Sequence, residues 1–154
     1  RDHPHCRLII LGEGSLRKSL ESQVRNNDLE KAIALPGNVS DVPKYYCAGD
    51  LFILPSNWEG LPISLLEAMS AGMICVANNV GGVPEVITDS VNGFLLQDNR
   101  PQTIAAKISE VLTMEKEKLG AISEAARRKV LDDFSALAMV RNYDSAFKQV
   151  VSSK

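Results

Sequence analysis

The stretch Asp50–Ala77, DLFILPSNWEGLPISLLEAMSAGMICVA, decides how the chain folds. It opens with the run Asp50 to Leu54, whose apolar positions show no polar alternation, the pattern of a strand covered on both faces. Pro55 cannot donate to a ladder and ends the pairing. Pro62 suits the first turn of a helix, which the pattern carries to about Ala71 before Gly72 closes it. Met73 to Ala77 is the next apolar run. Two such strands joined through a helix are the repeating unit of a parallel sheet.

The same alternation extends outward. Arg7 to Leu11 predicts a buried parallel strand ending at Gly12, and Ser15 is the expected N-cap of a helix carrying Leu16, Leu20 and Val24. Ile33 to Leu35 predicts a strand stopped by Pro36-Gly37, and Ser40 is placed to cap a short helix around Pro43 to Ala48. Downstream, Gly81-Gly82 opens a helical turn at Val83 to Ile87, and Asn92-Gly93 turns into a last strand, Phe94 to Leu96. Beyond it the pattern is helical only. Ile104, Ala105, Ile108, Val111 and Leu112 form one stripe, and Leu119, Ile122, Ala126 and Val130 a second. Ser135 caps a third helix bearing Val140, Tyr143, Phe147 and Val150, with Phe134 set to staple against Met139. The fold class is therefore α/β, a parallel sheet with helices on both faces and a helical tail from Pro101 onward packed on it.

Composition bounds the function. The chain has 154 residues and a formal net charge of −2, with 45% hydrophobic and 23% charged residues. That is ordinary globular composition for one domain, expected over residues 1–154. No basic stripe marks a nucleic-acid module, and Arg127, Arg128 and Lys129 read as a solvated helix face among acidic neighbours. The cysteines Cys6, Cys47 and Cys75 lie far apart and read as buried, reduced thiols in a cytoplasmic protein. The only histidines, His3 and His5, stand beside Cys6, and no metal site is expected there. Without an imidazole in the interior, Ser-His-Asp and Cys-His chemistry are disfavoured. The chain begins at Arg1 without methionine and runs almost at once into a strand, as a piece of a longer protein would.

Three loops stand out. Gly12-Glu13-Gly14 follows the first strand, but Arg17 occupies the third glycine position of a dinucleotide fingerprint, and Pro36-Gly37 replaces the expected ribose-binding carboxylate. What remains is either a backbone approach to a ligand or a tight corner. Glu59 to Glu67 lies just past the carboxyl end of a strand, where open α/β sheets bind ligands. There the free N–H groups of Ile63 and Ser64 and the positive helix end make a ready phosphate site. Glu67, inside a mostly apolar helix, needs donors, and a ribose diol would supply two. An ordinary strand, loop and helix accounts for the same residues. Val80 to Glu85 is a second glycine-rich turn on the same side of the sheet, equally consistent with simple turn chemistry.

The run NWEGLPISLLEAMSAGMICVANNVGGVPEVI (residues 57–87), followed by VNGFLL, resembles the carboxyl-terminal domain of the retaining glycosyltransferase family 4, the glycosyl transferases group 1. LIILGEGSLRKSL and IALPGNVSDVPKYYCAGDLFILPS resemble its first β–α units. The resemblance implies a Rossmann-like GT-B domain that binds a nucleotide diphosphate sugar, UDP or GDP, with no cofactor and no metal. It implies that Glu59, first of the E-x7-E pair, is the catalytic-site carboxylate that holds hydroxyls of the donor sugar. Gly60, Leu61, Pro62 and Ile63 would contact donor sugar and diphosphate, and Glu67 the ribose. Asn38 and Val39 fall where the family touches the base, with Gly12 and Gly14 at the pocket edge. Leu61 departs from the aromatic frequent at its position, and Ser15 from a frequent proline.

The resemblance further implies that this is most of a donor-binding half. The family's phosphate-clamping Arg and Lys lie upstream of the first strand, and the acceptor domain lies at the amino-terminal side. The parent would be a cytoplasmic, hexosyltransferase-type enzyme, with peripheral attachment to the inner membrane face open. It would use a glycan, lipid or polysaccharide acceptor, and the isolated chain is expected to be inactive. The rival readings are a non-catalytic nucleotide-binding or regulatory module on a flavodoxin-like sheet, which leaves E-x7-E idle, and a related epimerase, which needs acid–base groups not seen here.

Overall fold

The structure, a computed structural model, describes residues 3–152; residues 1–2 and 153–154 of the expected domain lie outside the described residues. The chain divides into two compact units, Arg1–Val42 and Pro43–Lys154, each with its own parallel sheet. In the first unit, β1 (Leu8–Leu11) pairs with β2 (Ile33–Gly37) across the helix α1 (Arg17–Asn26). Strand β2 runs two residues further than its sequence suggests, through Pro36 to Gly37, and Gly12 N–H donates to Gly37 O at 2.8 Å. The strand β1 is parallel as expected but not buried: Leu8 and Ile9 are 42% and 50% exposed, because a two-stranded sheet with one helix covers them poorly. Ser15 does not cap α1. The N-cap is Leu16 with no side-chain cap, and Arg17 N–H bonds instead to Gly14 O at 3.1 Å.

The helix α2 (Val42–Ala48) begins at the last residue of the first unit, and the second unit holds β3 (Leu51–Leu54), α3 (Ile63–Ala71), β4 (Ile74–Asn78), α4 (Val83–Val86) and β5 (Phe94–Leu96). Its sheet has the order β3-β4-β5, all parallel. Every residue of β4 is buried. Because side chains alternate across a strand, Cys75 and Ala77 join a core with Leu65, Ala68 and Met69 of α3, Val83 and Val86 of α4, and Ala126 and Val130. Ile74 and Val76 face the other way, against Phe94, Leu96, Val111 and Ile122. Helices therefore cover both faces of this sheet, the α/β architecture read from the sequence.

The helices α5 (Pro101–Leu112) and α6 (Lys116–Asp133) supply part of that cover, and α7 (Ala136–Ser152) follows. Ser135 Oγ accepts from Ala138 N–H at 3.2 Å, the cap expected of it. The rest of the tail differs from expectation. Ala138 is the buried residue of α7, while Tyr143 and Phe147 are 60% and 67% exposed. The helix α6 packs against α3 and β4, and α7 packs on α6. Phe134 packs on the core cluster beneath Lys129, and Met139 is exposed. Of the three cysteines only Cys75 is buried, and burial pushes its thiol up to about 12; Cys6 and Cys47 are exposed.

The end of α3 shows how the layers lock. A helix leaves its last carbonyls without partners, and α6 supplies them: Arg127 Nε donates to Ser70 O at 3.2 Å and Ser123 Oγ to Gly72 O at 2.7 Å. Arg127 is thus a structural contact, unlike the solvated Arg128 beside it. Gly72 closes the helix in the left-handed region at φ 86°. A Cβ there would stand 3.2 Å from Ser123 Oγ, whereas at Gly120 within α6 it would meet open space. Gly72→Ala should therefore destabilise by about 1–2 kcal/mol, and Gly120→Ala should stabilise by about 0.5–1 kcal/mol. Urea unfolding midpoints, at unchanged slope, check both.

Candidate functional site

The residues singled out in the sequence fall into two groups, one in each unit. In the first unit, Gly12 and Gly14 stand at the carboxyl end of β1, and Asn38 and Val39 follow the end of β2. The bond from Gly12 to Gly37 O joins the two loops directly. Gly12 has φ 102° and Gly37 φ 78°, conformations that suit glycine. Arg17, which breaks the dinucleotide spacing, has a structural task instead. Its guanidinium reaches Glu13 at 2.5 Å, Glu21 at 2.9 Å and Leu35 O at 2.8 Å, tying the glycine loop to β2. That cation is already committed.

In the second unit, Glu59 to Ile63 leads from β3 into α3, at the carboxyl ends of the strands. Pro62 is buried and serves as the N-cap, with extended backbone, so the first N–H groups of α3 have no intrahelical partner. No acidic side chain stands in that first turn to neutralise the helix end. Leu61 and Ile63 are exposed beside it, and Glu59 is half-buried.

Two contacts hold this segment. Asn78, buried at the end of β4, donates from Nδ2 to Ser56 O at 2.9 Å. The second glycine turn presses on it from the other side: Gly82 N–H donates to Gly60 O at 2.8 Å. Gly81 has φ 54°, and a Cβ there would fall on the Glu59 carbonyl; one at Gly82 would fall on Gly60 O. The two glycine-rich turns are thus seated backbone to backbone. Asn78 was not anticipated, and its signal was a polar side chain closing an otherwise apolar strand. Gly81 and Gly82 do more than turn the chain.

Glu67 lies on the second turn of α3, exposed rather than enclosed by the apolar helix face. Its Oε2 accepts from the Tyr46 hydroxyl at 3.1 Å. Tyr46 packs edge-on against Phe52, with ring centroids 6.0 Å apart, and its phenol is pushed up to about 12, chiefly by burial and then by the Glu67 hydrogen bond. The two glutamates therefore sit in separate surroundings, one braced by a glycine turn and one held by a phenol.

The family model for glycosyl transferases group 1 matches residues 1–129. The chain is 29% identical over 153 residues to the UDP-Gal:alpha-D-GlcNAc-diphosphoundecaprenol alpha-1,3-galactosyltransferase of Escherichia coli, covering 98% of this chain and 39% of that protein. The fold superposes on Anabaena HepE in complex with UDP with a TM-score of 0.86 at 24% identity, covering 95% of this chain and 42% of that one. It superposes on a Rickettsia africae glycosyltransferase with a TM-score of 0.83 at 25% identity, covering 99% and 42%. The chain thus spans about two fifths of the length of these relatives.

The seating of the two turns can be tested without a ligand. Gly81→Ala should destabilise by at least about 1–2 kcal/mol from its φ alone, and should speed amide exchange in the Asn57–Pro62 loop. Gly60→Ala, whose Cβ would meet nothing within 4 Å, should stay within about 0.5 kcal/mol of the parent. Hydrogen exchange read by mass spectrometry, with thermal unfolding, checks the pair.

Proposed function

Since a chain so matched over residues 1–129 belongs to glycosyl transferases group 1, we propose that it is the donor-binding half of a retaining glycosyltransferase of family 4. The observation that carries the reading is the start of α3, presented at the carboxyl end of β3 with unneutralised N–H groups and braced by the Gly81-Gly82 turn. Glycosyl transfer develops positive charge at the anomeric carbon and negative charge on the departing diphosphate. Preorganised donors that meet that charge lower the barrier, and a helix N-terminus supplies them.

In this reading Glu59 holds hydroxyls of the donor sugar, and the backbone of Gly60, Leu61, Pro62 and Ile63 receives sugar and diphosphate. Glu67 accepts from the ribose diol. Base contacts by Asn38 and Val39, with Gly12 and Gly14 at the pocket edge, rest on the family resemblance. The bond from the anomeric carbon to the diphosphate breaks as an acceptor hydroxyl bonds on the same face, which retains configuration. A glycosidase-style pair is disfavoured, because two carboxylates flanking a bond would leave the phosphate-ready helix start idle. The galactosyltransferase relative is named for UDP-Gal and a lipid diphosphate acceptor, and HepE was solved with UDP; both favour a uridine diphosphate sugar and a glycan or lipid-linked acceptor. Among the described residues no helix is long and apolar enough to cross a membrane. The reading needs no metal, since the helix end and cations supplied elsewhere in the parent hold the charge.

Glu67→Ala should weaken nucleoside diphosphate binding by about 1–3 kcal/mol, the scale for unpairing polar groups. Calorimetry on the full-length protein reads this, and unchanged affinity removes Glu67 from the site. Glu59→Gln should weaken binding of the nucleotide sugar but not of the bare diphosphate, which a regulatory nucleotide module would not do. Transfer activity of the full-length protein should survive EDTA; activity lost to EDTA and restored by Mn²⁺ counts against the assignment.

A further inference from the structure

Tyr46 belongs to none of the motifs that mark the site, yet its hydroxyl is the group that meets Glu67. We propose that Tyr46 is a positioning residue: its hydrogen bond fixes the Glu67 carboxylate so that the remaining oxygen faces a ribose diol. The inference deepens the reading of Glu67 as the ribose carboxylate and rests on it.

An exposed glutamate on a helix has three side-chain torsions to lose before it can accept two hydroxyls at once, and an unheld carboxylate binds weakly for that reason. Tyr46 removes part of that freedom in advance. Its ring has two torsions only, packs against the core that includes Leu65, Ala68 and Met69, and rests edge-on against Phe52 at an interplanar angle of 67°. Phe52 is itself in β3, paired with Cys75 of the buried strand β4. The hydroxyl is thus a donor anchored to the sheet, 3.1 Å from Glu67 Oε2. An ionised carboxylate accepts only, with about four lone-pair sites. One is taken by Tyr46, and Oε1 keeps its full capacity for a ligand's O–H groups. The raised pKa keeps the phenol protonated, and hence a donor, over the neutral and mildly alkaline range.

The test uses the full-length protein and two probes, UDP and 2′,3′-dideoxy-UDP, titrated by calorimetry. The parent should prefer UDP, and Glu67→Gln should erase most of that preference. Tyr46→Phe keeps the ring and its core contacts, so the melting temperature should hold. It should weaken UDP binding about fivefold, the equivalent of one hydrogen bond of about 1 kcal/mol, and leave the dideoxy probe unchanged. Added to Glu67→Gln, it should have no further effect on UDP. If Glu67→Gln lowers the preference and Tyr46→Phe does not, the positioning role is wrong and the ribose reading stands. Equal weakening of both probes by Tyr46→Phe marks a packing role and also overturns the inference. Should Glu67→Gln leave the preference intact, the ribose reading fails and the role of Tyr46 fails with it.

Discussion

Strand β4 is buried along its whole length and on both faces, and the organisation of the second unit follows from that constraint. Burying a side chain such as Ile74 or Val76 contributes about 1.5–3 kcal/mol relative to exposure, and with Cys75 and Ala77 buried on the opposite face the strand demands covers on both sides. The sequence before the strand supplies α3, whose Leu65, Ala68 and Met69 meet Cys75 and Ala77. The sequence after it supplies β5 and α5, whose Phe94, Leu96 and Val111 meet Ile74 and Val76. The helix α6 serves both cores, with Ile122 in one and Ala126 and Val130 in the other.

The site inherits its geometry from where these buried elements stop. Parallel strands end on one side, so β3 and β4 release their loops together. The polar residue that closes β4, Asn78, bonds the loop after β3 through Ser56. The turn after β4 then bonds that same loop through Gly60. A helix start that would otherwise sit on a mobile connection is held by the best-packed strand in the unit. Preorganisation of this kind is what an electrostatic catalyst needs, because donors that must reorient during reaction give back much of their benefit.

How much of this was legible varies with physical cause. The elements β3, α3 and β5 were readable because period, proline and glycine agreed, and Gly72 closes α3 in the left-handed conformation its position implied. The elements of the first unit were readable, but the burial of β1 was not: an apolar run records a preference for cover, and the two-stranded sheet leaves Leu8 and Ile9 exposed. Ser15 looked like a cap because capping propensity is local, yet the Gly12–Gly14 turn and the anchored Arg17 decide where α1 starts. The stripe on α7 was likewise real as a pattern, while its partner could not be read from it. At the site, E-x7-E and both glycine turns were visible. The contact between the turns and the bond from Tyr46 to Glu67 were not, since both join residues far apart in sequence with no shared motif.

The backbone seating of Gly81 and Gly82 on Glu59 and Gly60 also bears on how such a protein can diversify. With side chains excluded from the junction on the glycine side, neither loop can vary its contacting backbone without the other's consent. Variation is channelled to outward side chains such as those of Trp58, Leu61 and Ile63, which are exposed. An engineer seeking new ligand preference would therefore exchange the two loops as one cassette, or hold both and vary only those outward side chains. Recombination points placed between the loops, anywhere from α3 to β4, would join halves that had not been fitted to each other.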